Sequence, residues 1–181
     1  YFIVWTTTPW TLPANLALAI HPDKDYSVIE IADNYYIIAS ELLETLKNKI
    51  GFDGKVIKVI KGKKMEGLKA KHPFIERDSL VVTADFVTTT EGTGVVHIAP
   101  GHGEDDYLVG LKYNLDIYTP VDEYGRFIIS EHGLKGIEVF KANKKIIDIL
   151  RQHYALIHKG EISHSYPHCW RCKNTIIFRA T

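Results

Sequence analysis

The chain has 181 residues, 45% of them apolar and 24% charged, which is enough to bury a real core and ordinary for a globular domain. Twenty-two Lys and Arg balance twenty-two Asp and Glu, so no global field draws nucleic acid, and any such contact has to be local. No apolar run is long enough to span a bilayer and no signal-peptide pattern heads the chain, so no membrane partner and a cytoplasmic location are expected.

In chain order, Tyr1–Thr7 is a β-branched and aromatic run that predicts a strand. The two prolines of Thr8–Asn15 (TPWTLPAN) forbid a central strand and favour a rigid loop or short helical turn. Leu16–Ile20 is apolar, and Tyr26–Ile31 with Tyr35–Ala39 reads as a hairpin around Asp33-Asn34. Ser40–Ile50 predicts a short amphipathic helix with Ser40 as cap and Gly51 just past its end. Lys55–Lys61 is strand-like and Gly62–Lys71 is a basic, glycine-punctuated connector; the basic stretch Lys55–Lys71 as a whole could touch phosphates, although such a run is more often a solvated face. Leu80–Val87 and Val95–Ile98 are further strands, Asp105–Tyr113 a helix and Val121–Phe127 a turn cornered by Gly125. Gly136–His153 is the longest helical pattern, and Ala155–Ser165 returns as a strand.

Both ends fall inside strand-like runs, Thr175–Ala180 being the last. The expectation is one excised domain, residues 1–181, with 1–7 and 163–181 as linking strands to a larger body. Strands outnumber helices without alternating with them, so the expected class is mixed, strand-rich α/β: a β-barrel-like core with peripheral helices.

The chemistry concentrates in Glu91–Tyr107 (EGTGVVHIAPGHGEDDY), where a buried strand delivers His97 to a Gly-rich loop carrying His102 and opening onto Asp105 and Asp106. Gly101 and Gly103 permit close backbone approach, and carboxylates are favoured at a helix start, where the plain role of the Asp pair is to cap. Three readings compete. Zinc binding by His97, His102 and an aspartate would need three or four converging donors. A zinc deaminase would use His102-Gly103-Glu104 with the Pro167–Cys172 stretch, but His168 interrupts that second half. The third is a metal-free recognition pocket in which Thr6 and Thr8, pointing the same way from a strand, face His97 and Asp106. Cys169-x-x-Cys172 suggests metal or redox chemistry in a reducing compartment rather than a disulfide framework.

At this point a family comes into view. Trp5–Asn15 (WTTTPWTLPAN) resembles the threonine-rich signature of the isoleucyl-tRNA synthetase editing domain (connective polypeptide 1), and Gly92–Tyr107 resembles its second signature. Ser165–Lys173 resembles the strand that returns to the catalytic core. The leucyl and valyl relatives usually carry arginine where Thr8 stands, which favours the isoleucyl branch.

The resemblance implies a hydrolase that removes valine from mischarged tRNA(Ile) and excludes the larger isoleucine by size; valyl-adenylate is a second expected substrate. A non-catalytic aminoacyl- or tRNA-binding module is the alternative. Asp106, His97 and Thr7 would form the catalytic set, Asp106 holding the substrate ammonium and His97 acting as a steric wall or as a base. Trp5, Thr6, Thr7, Thr8 and Asn15 would complete the substrate pocket. With no activated serine or cysteine evident, an ordered water would attack the ester. Editing needs no cofactor on this reading, and no complete metal site is expected within residues 1–181. Zinc would belong to the full-length parent, with Cys169 and Cys172 as half of its site. The expected partners are the tRNA 3′ end and the catalytic body of the parent, and the expected state is a monomer.

Overall fold

Ala17–Ile20 (β1) is buried at all four positions, and so on both faces, and it is also paired along both edges. It runs parallel to Asp78–Thr83 (β6) and antiparallel to Val95–Ile98 (β7), with Leu18 opposite His97. A strand covered on both sides has no polar face to show, which explains the unbroken apolar run. These contacts belong to the computed structural model of the chain, which describes residues 1–161 and 166–181. The described residues pack as two units. One comprises Tyr1–Thr6, Leu16–His72 and Glu76–Ile98, and the other comprises Thr7–Asn15, Pro73–Ile75 and Ala99–Thr181.

The first unit holds two open sheets. Adding Lys69–Lys71 (β5), the first sheet has the order β5-β6-β1-β7. The second, built from Asp25–Ile31 (β2), Asn34–Ala39 (β3) and Lys55–Lys61 (β4), has the order β3-β2-β4. The β2–β3 hairpin turns through Ala32 and Asp33, both at positive φ (47° and 63°), the geometry that matches the twist of a two-residue hairpin loop. Leu43–Ile50 (α1) ends on Gly51 at φ 68°, a left-handed position that glycine fills without strain. Tyr26 is fully buried; its hydroxyl donates to Gly94 O at 2.7 Å and accepts His21 N–H at 2.9 Å. Desolvation raises that phenol to about 12, so it remains a donor. This bond ties the Gly92–Gly94 turn, which feeds β7, to the centre of the second sheet.

In the second unit, Glu104–Lys112 (α2) follows the glycine loop, and Val139–Gln152 (α3) supplies the core. Val139, Ala142, Ile146, Ile149 and Leu150 lie at helical spacing and pack with Trp10, Leu12, Phe127 and Leu134. Glu138 caps α3 by accepting the Phe140 N–H at 3.2 Å.

The strand-rich α/β class is as expected, and among the described residues the strands form open sheets with no closed barrel. Several local expectations are corrected. Tyr1–Thr7 is not a strand: it makes one parallel bridge, Phe2 to Ile37, before Pro9 starts a 3-10 turn. Ser40 does not cap α1 with its side chain; its hydroxyl meets that of Ser27 at 2.8 Å, and a 3-10 turn, Ser40–Leu42, precedes the helix. Lys69–Lys71, expected in a connector, is a strand because β6 offers it an edge. Residues 155–161 form no strand, and the remainder of that expected element, residues 162–165, lies outside the described residues. Among the described residues Thr175 makes an isolated bridge with His168, and Thr175–Ala180 is extended chain rather than a ladder strand.

Candidate functional site

The threonine segment owes its shape to its prolines. Pro9 opens the 3-10 turn Pro9–Ala14, where its fixed φ and missing N–H cost nothing. Thr8 O accepts both the Thr11 N–H (3.0 Å) and the Thr11 hydroxyl (2.8 Å). The Trp10 N–H donates to Asn143 Oδ1 on α3 at 2.9 Å. Thr6–Thr8 is therefore not an alternating strand, and it is Thr8 and Thr11 whose side chains meet, 3.4 Å apart.

The glycine loop is built around Ala99. Its N–H donates to Asp106 Oδ2 at 2.8 Å, and its carbonyl accepts the His102 N–H at 2.8 Å. Gly101 and Gly103 are there for space. A Cβ on Gly101 would lie 2.4 Å from Tyr118 O, and one on Gly103 would lie 3.1 Å from Asp106 Cγ. Burial pushes the Asp106 carboxyl up to about 6, with the Ala99 N–H opposing the rise and neighbouring Asp105 adding to it.

His102 is 8% exposed. Its Nδ1 lies 3.0 Å from Phe178 O; a carbonyl only accepts, so Nδ1 carries the proton and Nε2 presents a lone pair. Among the described residues Nε2 meets no hydrogen-bond partner. Burial lowers the pKa of this imidazole, the Phe178 bond opposing and Arg179 adding to the effect, which keeps it neutral. Its ring stands against Trp10, edge to face, with centroids 4.9 Å apart. Thr7, Thr8, Trp10, Thr11, His102 and Phe178 are among the walls of a cleft of about 260 Å³ in this unit.

The sequence-predicted residues thus divide. Thr7 and Thr8 share the cleft with His102, whereas Asp106 is held against Ala99 and is not part of the cleft wall. Asn15 is 3% exposed at the end of the threonine turn. Trp5, Thr6 and His97 belong to the first unit. There, Trp5 covers Gly92 so closely that a Cβ would come within 3.0 Å of its ring, and His97 is buried on β7 at 8% exposure. Trp10, Thr11 and Phe178 were not singled out from sequence; the i, i+3 spacing of Thr8 and Thr11 around Pro9 was the available signal.

Cys169 and Cys172 occupy a tight turn in which Lys173 N–H reaches Cys169 O at 2.9 Å. The backbone N–H groups of Cys172 and Arg171, with the Cys172 side chain, lower the Cys169 thiol. That is thiolate-favouring chemistry. Yet among the described residues no three His, Cys, Asp or Glu side chains converge as metal ligands, so two sulfurs fit half of a structural zinc site. His164 and His168 are the histidines near enough in sequence to substitute for missing cysteine ligands, and His164 lies outside the described residues. The deaminase arrangement is not assembled either, since the same absence of a three-ligand cluster among the described residues covers His102 and the two cysteines. In the basic stretch, Lys61 pairs with Asp25 at 3.0 Å and Lys63 with Asp23 at 3.9 Å. No helix among the described residues is long and apolar enough to cross a membrane.

Residues 2–152 match the family model described as leucyl-tRNA synthetase, editing domain. The isoleucine–tRNA ligases of Petrotoga mobilis and of Sulfurihydrogenibium sp. are 53% and 54% identical over the whole chain. The chain spans 20% and 19% of their lengths. Among solved structures, the GlLeuRS-CP1 crystal structure superposes with a TM-score of 0.74 at 16% identity, covering 90% of this chain and 84% of that one. The P. knowlesi cytosolic leucyl-tRNA synthetase editing domain follows at 0.63 and 14%, covering 84% and 82%. At these identities the likeness concerns the fold.

Proposed function

Because the chain belongs to the family of synthetase editing domains that this model describes, we propose that it proofreads for an isoleucine–tRNA ligase, hydrolysing the ester of valine mischarged on tRNA(Ile). A pocket built for isoleucine rejects valine by only about 1–3 kcal/mol, so a second site that admits the smaller product is needed; the handling of isoleucine against valine is the standard worked example of that limit. Valyl-adenylate is a second substrate on this reading, and the tRNA 3′ end and the rest of the ligase are the partners.

The observation that carries the proposal is the placement of Asp106. One oxygen is fixed by the Ala99 N–H and the carboxyl is partly buried at the start of α2. A substrate ammonium brought against it favours the ionised form and forms a charge-assisted hydrogen bond. Thr7 and Thr8 offer hydroxyls from the cleft wall to the ester and terminal ribose. Asn15 supports the threonine turn. The chain's own groups bind and orient the ester, and an ordered water attacks it.

The direct test is release of amino acid from valyl-tRNA(Ile) and isoleucyl-tRNA(Ile) by a full-length ligase carrying this chain. The proposal expects the first to be cleared and the second spared. A non-catalytic module would instead bind a non-hydrolysable valyl-adenosine analogue while cleaving neither ester.

A further inference from the structure

His102 joins three segments of the second unit. Its backbone N–H closes the glycine loop onto Ala99 O (2.8 Å), its ring packs against Trp10 of the threonine turn, and its Nδ1–H reaches Phe178 O. The C-terminal segment returns the contact, since Ala180 N–H donates to Gly101 O at 2.9 Å and the Thr119 hydroxyl to Ala180 O at 3.4 Å. Ala99 is therefore gripped from both sides, its carbonyl by His102 and its N–H by Asp106.

We infer that His102 is a positioning residue for hydrolysis: by fastening the glycine loop to Phe178 through Nδ1–H, it sets the place of the Ala99 peptide, and with it the carboxylate of Asp106 and the wall of the threonine cleft. The inference rests on the editing reading above. A buried imidazole is suited to the task because its ring is rigid and one nitrogen is enough. Burial among Trp10 and the C-terminal chain keeps it uncharged, so the tautomer with the proton on Nδ1 is held by the Phe178 carbonyl. His102 touches no reacting atom on this account and acts through Ala99.

The test compares His102→Asn, His102→Gln and His102→Phe in a full-length isoleucine–tRNA ligase carrying this chain. Asparagine places an amide N–H where Nδ1–H stands; glutamine carries it one carbon further, and phenylalanine keeps the ring without a donor. The expected result is valyl-tRNA deacylation near the parent rate for Asn, with kcat reduced roughly 10²-fold for Gln and Phe, the loss that about 1 Å of misplacement produces. KM should stay near the parent value for Asn and rise for Gln and Phe, in which Asp106 no longer meets the ammonium squarely. Equal rates for Asn and Gln overturn the inference, as does failure of both to fold, which would make His102 a purely structural residue. Because Asn and Gln are equally polar, their comparison decides the matter even where the Phe variant does not fold. A parent enzyme that never hydrolyses valyl-tRNA would defeat the editing reading itself, whereas an active parent with indistinguishable variants defeats this inference alone.

Discussion

The Trp10 N–H donates to the side-chain oxygen of Asn143 at 2.9 Å, joining residues 133 positions apart. Asn143 sits in the second turn of α3 beside buried Ala142, so this hydrogen bond adds to the apolar packing of Trp10 and Leu12 on the helix in holding the threonine turn. Asn143→Ala leaves a part-buried N–H without its acceptor and should lower stability by about 1–3 kcal/mol, read as a fall in denaturant midpoint. Asn143→Asp keeps the acceptor and should recover most of the loss at neutral pH. Equal midpoints for the two variants would show that the bond does not anchor the turn.

Gly110 gives a prediction opposite to its helix propensity. In an exposed helix interior, Gly→Ala stabilises by about 1 kcal/mol. Here an added Cβ would lie 2.8 Å from Pro100 Cβ and 3.1 Å from its Cγ, and overpacking of that kind costs about 1–3 kcal/mol. The clash should win, so Gly110→Ala should melt at a lower temperature than the parent. A raised melting temperature would mean that α2 and Pro100 separate freely.

The buried acid has a pH signature with a definite sign. Burial pushes the Asp106 carboxyl up to about 6 in the folded chain, against an ordinary value of 3.8. A raised carboxyl pKa means that the native state holds a proton the unfolded state has released, so its contribution to stability falls as pH rises through that window. Asp106→Asn lacks this term. Its melting temperature relative to the parent should therefore climb between pH 4 and 7 and then level off. Hydrolysis runs the other way: kcat/KM of the parent should decline as pH drops below about 6, because the protonated acid cannot pair with an ammonium. A flat difference in melting temperature would place the carboxyl in ordinary solvent.

Much of the framework was legible in the sequence because its signals were local. Val95–Ile98 is an apolar run bounded by Gly94 and Pro100, and it forms β7 with those limits. Gly51 marked the end of α1, and the spacing of Val139, Ile146, Ile149 and Leu150 marked α3. What failed to show was decided by distant partners. Lys69–Lys71 has no strand composition and is one only because β6 is beside it. Tyr1–Thr7 has strand composition but among the described residues forms no ladder, only an isolated bridge from Phe2 to Ile37. The expectation that Thr6 and Thr8 point together assumed strand periodicity, which the turn at Pro9 replaces with the Thr8–Thr11 pair. Asp106 was picked out as the acid of the site, yet its hold on Ala99 depends on how the glycine loop folds back, and no spacing rule encodes that bond.

The central claim, that Asp106 secures the ammonium of a mischarged valine for hydrolysis, is tested most directly by the deacylation rate of valyl-tRNA(Ile) in a full-length ligase carrying Asp106→Ala. A charge-assisted hydrogen bond is worth about 1.5–3 kcal/mol, so the account predicts a loss of roughly 10- to 100-fold in kcat/KM. A parent-like rate in the Asp106→Ala enzyme would contradict it.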